Sequence, residues 1–130
     1  MQRVGQVCWG KAAEDRDHKQ WLVGSFMPTD SLLNERNAKI KFGTHQKGEG
    51  RSKDKASSDP NHWTMSFVLS GKQRLVFIQD GVEQEVVLVG DKDSPPFVKW
   101  APAVLHYWEA LEDNTVVLTI CALVEPTKVP

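Results

Sequence analysis

At 130 residues, 40% hydrophobic and 25% charged, the chain has the length of one domain and the composition of a folded globular protein. Its 16 Lys and Arg against 17 Asp and Glu give a net charge of -1, without the basic excess typical of nucleic-acid binding. No apolar run reaches the roughly 18–20 residues that cross a bilayer, and Met1 to Asp17 lacks the apolar core of a secretion signal. A cytoplasmic protein with neither nucleic-acid nor membrane partners is the expectation.

In chain order, Trp21–Met27 and Asn37–Phe42 read as short strands, punctuated by Gly24, Pro28 and Asp30. The segment 46–61, from Gln46 to Asn61, is rich in Lys, Gly, Ser and Asp and has no large aliphatic residue to anchor it. A mobile surface loop is expected there. Met65–Ser70 alternates, with Met65, Phe67 and Leu69 on one face. Gly71-Lys72 supplies a turn into Arg74–Gln79. Asp80-Gly81, which favours positive φ at both positions, turns into Val82–Val89. Two sequential hairpins over Met65–Val89 follow from this reading. Phe97–Trp100 and Thr115–Val124 are further strands. Pro102–Asp113 carries two patterns at once: a helical stripe of Leu105, Trp108 and Leu111, and a strand face of Val104, His106, Trp108 and Ala110. Short, evenly spaced strands with turn signals indicate an all-β sandwich or barrel. Cys8 and Cys121 form no CxxC pair, and Cys121 inside Val116–Val124 reads as a small buried hydrophobe.

Several pieces also occur in a telling order: Phe42-Gly43-Thr44-His45-Gln46-Lys47-Gly48-Glu49, then Ser66-Phe67-Val68-Leu69-Ser70-Gly71, then Gly90-Asp91, then Trp100 to Trp108. This order resembles the two motifs of the cupin superfamily, over about Ile40 to Leu123. The resemblance implies an all-β, cupin-type double-stranded β-helix (a jelly-roll barrel), with residues 1–130 as a single domain and Pro102–Leu111 as strand or turn. It also implies a homodimer paired through its sheets, for which the apolar segment Val4–Trp9 is a candidate to cross over. In many members three His and one Glu hold a divalent metal at one end of the barrel. His45 matches the first of these His and His106 the last. The second His of the first motif falls on Lys47. The Glu falls near Arg51 or near Thr64, depending on the direction of counting, and the Pro-x-Gly turn reads Pro102-Ala103-Val104.

Three groups of residues are candidates for a site. His45, Glu49, His62 and His106 form a chemically reasonable set for Zn, Fe, Ni or Mn. The competing reading has His45 and His106 as hydrogen-bonded lining and Glu49 and His62 as solvated loop residues. Lys39, Lys41, His45 and Lys47 share strand parity, with Arg51 beyond. On the barrel's inner face they would draw a carboxylate or a phosphate. Plain alternation instead puts Lys39 and Lys41 in water and Ile40 and Phe42 in the core, with a bulge at Gly43 needed to turn His45 inward. Trp100 and Trp108 flank His106 and suit the wall of a small-molecule pocket. Trp21 is expected in the core and Trp9 at a dimer contact. The expected function is binding of a small molecule by His45, Lys47, Trp100, His106 and Trp108. The alternatives are a metal-dependent oxygenase, isomerase or decarboxylase acting on a small organic acid, and a structural oligomer with a vestigial pocket.

Overall fold

The computed structural model describes residues 1–17 and 19–124. The chain runs through β1 (Gln2–Val4), β2 (Val7–Trp9), a short α1 (Ala12–Asp15), β3 (Trp21–Val23), β4 (Ala38–His45) and β5 (Gly50–Arg51). After a 3-10 turn at Lys53–Lys55 come β6 (His62–Ser70), β7 (Lys72–Gln79), β8 (Val82–Val89), β9 (Phe97–Trp100), β10 (Leu105–Ala110) and β11 (Thr115–Leu123). They form a five-stranded sheet in the order β3-β4-β11-β6-β9 and a four-stranded sheet in the order β5-β10-β7-β8, with β1-β2 as a separate hairpin. Every pairing is antiparallel. Val68 and Val117 of the larger sheet pack against Leu75, Phe77 and Leu88 of the smaller one. This is an all-β jelly-roll barrel whose apolar core lies between the sheets.

Locally encoded features appear where expected. Asp80 and Gly81 have φ of 50° and 75°, and β7 and β8 pair in full register from Lys72↔Val89 to Gln79↔Val82. The segment after Pro102 is a turn, with Ala103 at φ 67°, followed by strand β10, so the helical stripe is not used. Cys8 and Cys121 are both free, and Cys121 is buried.

Three expectations are corrected. Gly71-Lys72 does not close a hairpin. Strand β6 pairs with β11 and β9, whereas β7 pairs with β10 and β8, so the chain changes sheet at Gly71. Gly71 has φ 76°, and a Cβ there would lie 2.6 Å from the Thr115 Cα, so this corner admits only glycine without distortion. The polar segment 46–61 is not a free loop either. The N–H of Gly48 donates to the Ala110 carbonyl at 2.9 Å, and Ala110 N–H donates to Glu49 at 2.8 Å. Ser57 and His106 exchange backbone hydrogen bonds of 3.0 and 2.9 Å. Lys53 meets Glu83 at 2.6 Å. The anchors are backbone groups, which a polar composition does not disclose. Strand β3 is also shorter than the expected Trp21–Met27.

Candidate functional site

The core fills only part of the barrel. Beside it lies a cavity of about 300 Å³, lined from β4 by Lys39, Lys41, Gly43 and His45, from β10 by His106 and Trp108, and from β9 by Trp100. Thr64 and Ser66 of β6, Gln73 and Leu75 of β7, and Val117, Thr119 and Cys121 of β11 complete the interior. Trp21 stands on β3, while Arg51, Ser57, Ser58 and Asp59 come from the polar segment that crosses back over the opening.

The inner face of β4 reverses the plain alternation reading. Lys39 and Lys41 face the cavity together with His45. The register of β4 on β11 is unbroken from Ala38↔Ala122 to His45↔Thr115, so Gly43 is not a bulge. Its function is space: a Cβ at Gly43 would sit 2.7 Å from Nε2 of His45. With that space free, the imidazole lies over its own strand and packs on Trp108 at 4.7 Å between centroids. On β6 the same inversion holds. Thr64, Ser66 and Val68 are buried, and Met65, Phe67 and Leu69 take the outer face. A barrel that encloses a polar cavity turns its polar residues inward.

Both imidazoles point into this one cavity. Nδ1 of His45 lies 3.4 Å from Oε2 of Glu49, and Nδ1 of His106 lies 3.1 Å from the Val104 carbonyl oxygen. In the neutral rings Nδ1 therefore carries the proton and Nε2 keeps its lone pair. His106 packs between Trp100 at 4.8 Å and Phe77 at 6.1 Å. Burial lowers the pKa of both rings. Lys41 adds to the effect at His45, which Glu49 partly offsets, and Arg51 adds to it at His106, which the Val104 hydrogen bond partly offsets.

These lowered values couple stability to pH. Unfolded histidines take up protons below about 6.5, whereas the folded His45 and His106 resist until lower pH, so the unfolded chain binds more protons in that interval. Stability is fully present above about 6.5 and falls as pH drops from there through the folded values. Urea midpoints measured across this range should decline toward acid. The slope should be shallower in a His45→Gln, His106→Gln double variant, and an equal slope would refute the assignment.

The cations are unevenly matched. Lys39 Nζ lies 3.5 Å from Asp59 Oδ2, and Asp59 also takes His62 Nδ1 at 3.0 Å. Burial pushes the Asp59 carboxyl up, but hydrogen bonds from Asn61 and His62 and the charge of Lys39 outweigh it and hold it below its ordinary value. Arg51 donates from Nη1 to the Ser57 hydroxyl. Neither Arg51 nor Lys41 has a carboxylate partner among the described residues. Lys41 instead lies 5.9 Å from the ring centroids of both Trp21 and Trp108. Burial, then the charges of Arg51 and Lys19, hold its ammonium below the ordinary lysine value.

The remaining candidates lie apart. Lys47 is exposed, its backbone N–H donates to Asp113 Oδ1 at 3.0 Å, and it is not among the lining residues. Glu49 is exposed and meets the Nδ1 side of His45. His62 is committed to Asp59. Among the described residues no three His, Cys, Asp or Glu side chains gather as a metal-holding group. Basic side chains beside both imidazoles further disfavour a divalent ion, so the donor set does not fit the metal that the sequence resemblance implies. Trp21, expected in the core, instead walls the cavity beneath Lys39 and Lys41. Gln73 was not anticipated. It is 5% exposed at the cavity wall, and its Oε1 has no hydrogen-bond partner among the described residues. Its parity with Leu75 and Phe77 on β7 was the available signal.

No family model matches the sequence, and no curated protein matches it. Solved structures do match the fold. KdgF from Halomonas sp. superposes with a TM-score of 0.52 at 11% identity, over 68% of this chain and 72% of that one. Oxalate decarboxylase from Bacillus subtilis, a protein with Mn(II) centres, gives 0.55 at 14% identity, over 72% of this chain and 23% of that one. The capsular polysaccharide assembling protein CapF from Staphylococcus aureus gives 0.52 at 14% identity, over 75% of this chain and 26% of that one. The chain thus spans about a quarter of the latter two proteins.

Proposed function

This chain has the cupin fold, and we propose that its barrel cavity binds a small organic anion, a carboxylate in the first instance, without a metal ion. One observation carries the reading. Among the described residues, of the three cations lining the cavity, Lys39, Lys41 and Arg51, only Lys39 meets the one lining carboxylate, Asp59. Two cations without a carboxylate partner among the described residues, in a tryptophan-walled space, leave a seat for one anionic group. The volume of about 300 Å³ matches the small end of ligand pockets, and Trp100 and Trp108 offer flat surfaces for the body of the ligand. The lone pairs of His45 and His106 accept hydrogen bonds from its hydroxyl or amino groups. Titration calorimetry with a panel of mono- and dicarboxylates and inorganic phosphate tests this, using protein stripped with a chelator that is then removed. Saturable binding that survives stripping is expected. Binding that appears only after a divalent metal is added would favour the metal-dependent enzyme instead.

The outer face of the larger sheet supports a homodimer. Ile40, Phe42, Met65, Phe67, Leu118 and Ile120 are only half-buried there, and Phe97, packed on Phe67 at 6.0 Å, is 58% exposed. In the β1-β2 hairpin Val4, Val7 and Trp9 are exposed as well. Light scattering should give twice the chain mass, and Phe97→Asp should shift it to the monomer. A wild-type monomer at high concentration would count against this arrangement. No helix among the described residues is long and apolar enough to cross a membrane.

A further inference from the structure

We propose that Lys41 is an imine-forming residue, whose Nζ condenses with the carbonyl carbon of a small 2-oxo acid seated in the barrel cavity. The inference rests on the anion-binding reading and adds covalent chemistry to it. Lys41 projects from the inner face of β4, and its Nζ lies 5.9 Å from the ring centroids of Trp21 and Trp108. The Nζ makes no ion pair or hydrogen bond among the described residues, in contrast to Lys39 with Asp59 and Lys53 with Glu83. An amine is nucleophilic only when unprotonated. Desolvation and neighbouring positive charge both favour the free amine, and both act here through burial, Arg51 and Lys19.

The surrounding groups match the steps of condensation. The carboxylate of the oxo acid is held by Arg51, which leaves Lys41 for the adjacent carbonyl. The amine nitrogen attacks the carbonyl carbon, so a C–N bond forms and the C=O π bond opens to an alkoxide. A proton passes from nitrogen to that oxygen. The second nitrogen proton is relayed to the same oxygen as the C–O bond breaks, so that water leaves and C=N remains. No electrons enter or leave the balance. His45 is placed to shuttle the proton. It stands two residues along the same inner face, shares the Trp108 ring with Lys41, and keeps Nδ1 engaged by Glu49 while Nε2 is free to accept.

The test is reductive trapping of the whole wild-type chain with pyruvate and sodium borohydride. Intact mass and peptide mapping follow, and acetate and pyruvate binding are measured by calorimetry on the same preparation. One reduced pyruvate per chain is expected, on Lys41, exceeding the labelling of any other lysine by about tenfold or more. Excess acetate should suppress it, and it should be absent in Lys41→Arg. The wild-type map does not depend on that variant folding. Carboxylate binding without an adduct at Lys41, or labelling spread over exposed lysines, would overturn the imine and leave the anion reading standing. Absence of both binding and adduct would overturn the two together.

Discussion

Replacing Lys41 and Arg51 together by methionine should abolish carboxylate binding and leave the barrel folded, with slightly higher stability. Each cation is expected to supply a charge-assisted hydrogen bond to the ligand. Such bonds contribute about 1.5–3 kcal/mol each, so losing both should lower affinity by about a hundredfold or more. Stability moves the other way. The Lys41 pKa is lowered by burial before any other cause, so below about 10.5 its charge costs more in the folded chain than in the unfolded one. Methionine removes that cost and keeps most of the side chain's volume against Trp21 and Trp108. A gain of about 1 kcal/mol is reasonable for such a change. Calorimetry and urea unfolding on one preparation measure both effects. Retained affinity would show that the ligand is not held by the cavity cations. A large loss of stability would show that these side chains support the fold through contacts other than the two tryptophans.

The second large effect is structural. Gly71→Ala should destabilise the protein by about 3 kcal/mol or more, from the positive φ together with the clash of a Cβ against the Thr115 backbone. Thr115 cannot yield easily. It is fully buried, and its hydroxyl donates to the Glu112 carbonyl at 2.7 Å and accepts from the Lys72 N–H at 3.2 Å. Gly81→Ala is the internal comparison. Gly81 has nearly the same φ, 75°, but nothing lies within 4 Å of its Cβ position, so only the conformational cost of about 1 kcal/mol applies. Equal urea midpoints for the two variants would mean that the corner between the sheets is not tightly packed at Thr115.

That pair of glycines also separates what local sequence encodes from what it leaves open. Asp80-Gly81 specifies its hairpin because the turn geometry and both strands lie within one short stretch. Gly71-Lys72 carries an equally good turn signal, yet the strands on either side join different sheets. The partners that decide this, β11 for β6 and β10 for β7, are distant in the chain, the nearest pair being Ile78 and Leu105. A turn dipeptide reports that the chain reverses or bends, and it contains nothing about which strand will be hydrogen-bonded next.

The site divides along the same line. Sequence by itself determined an all-β barrel and the strands from Arg74 onward, because motif order and period-two alternation are properties of the chain alone, and it brought His45 inward only by way of a bulge at Gly43 that the unbroken β4-β11 register does not contain. It did not determine which face of β4 turns inward. Alternation assigns Lys39 and Lys41 to one side and Ile40 and Phe42 to the other with no preference between sides. The usual choice, apolar side inward, fails in this barrel because the interior opposite β4 is a polar cavity, while the outer face of its sheet carries the apolar residues. Only the tertiary structure could join Arg51 and Asp59 to that cavity. They reach it through backbone hydrogen bonds from a segment whose side chains show no sign of packing, and backbone pairing between distant segments is invisible in composition.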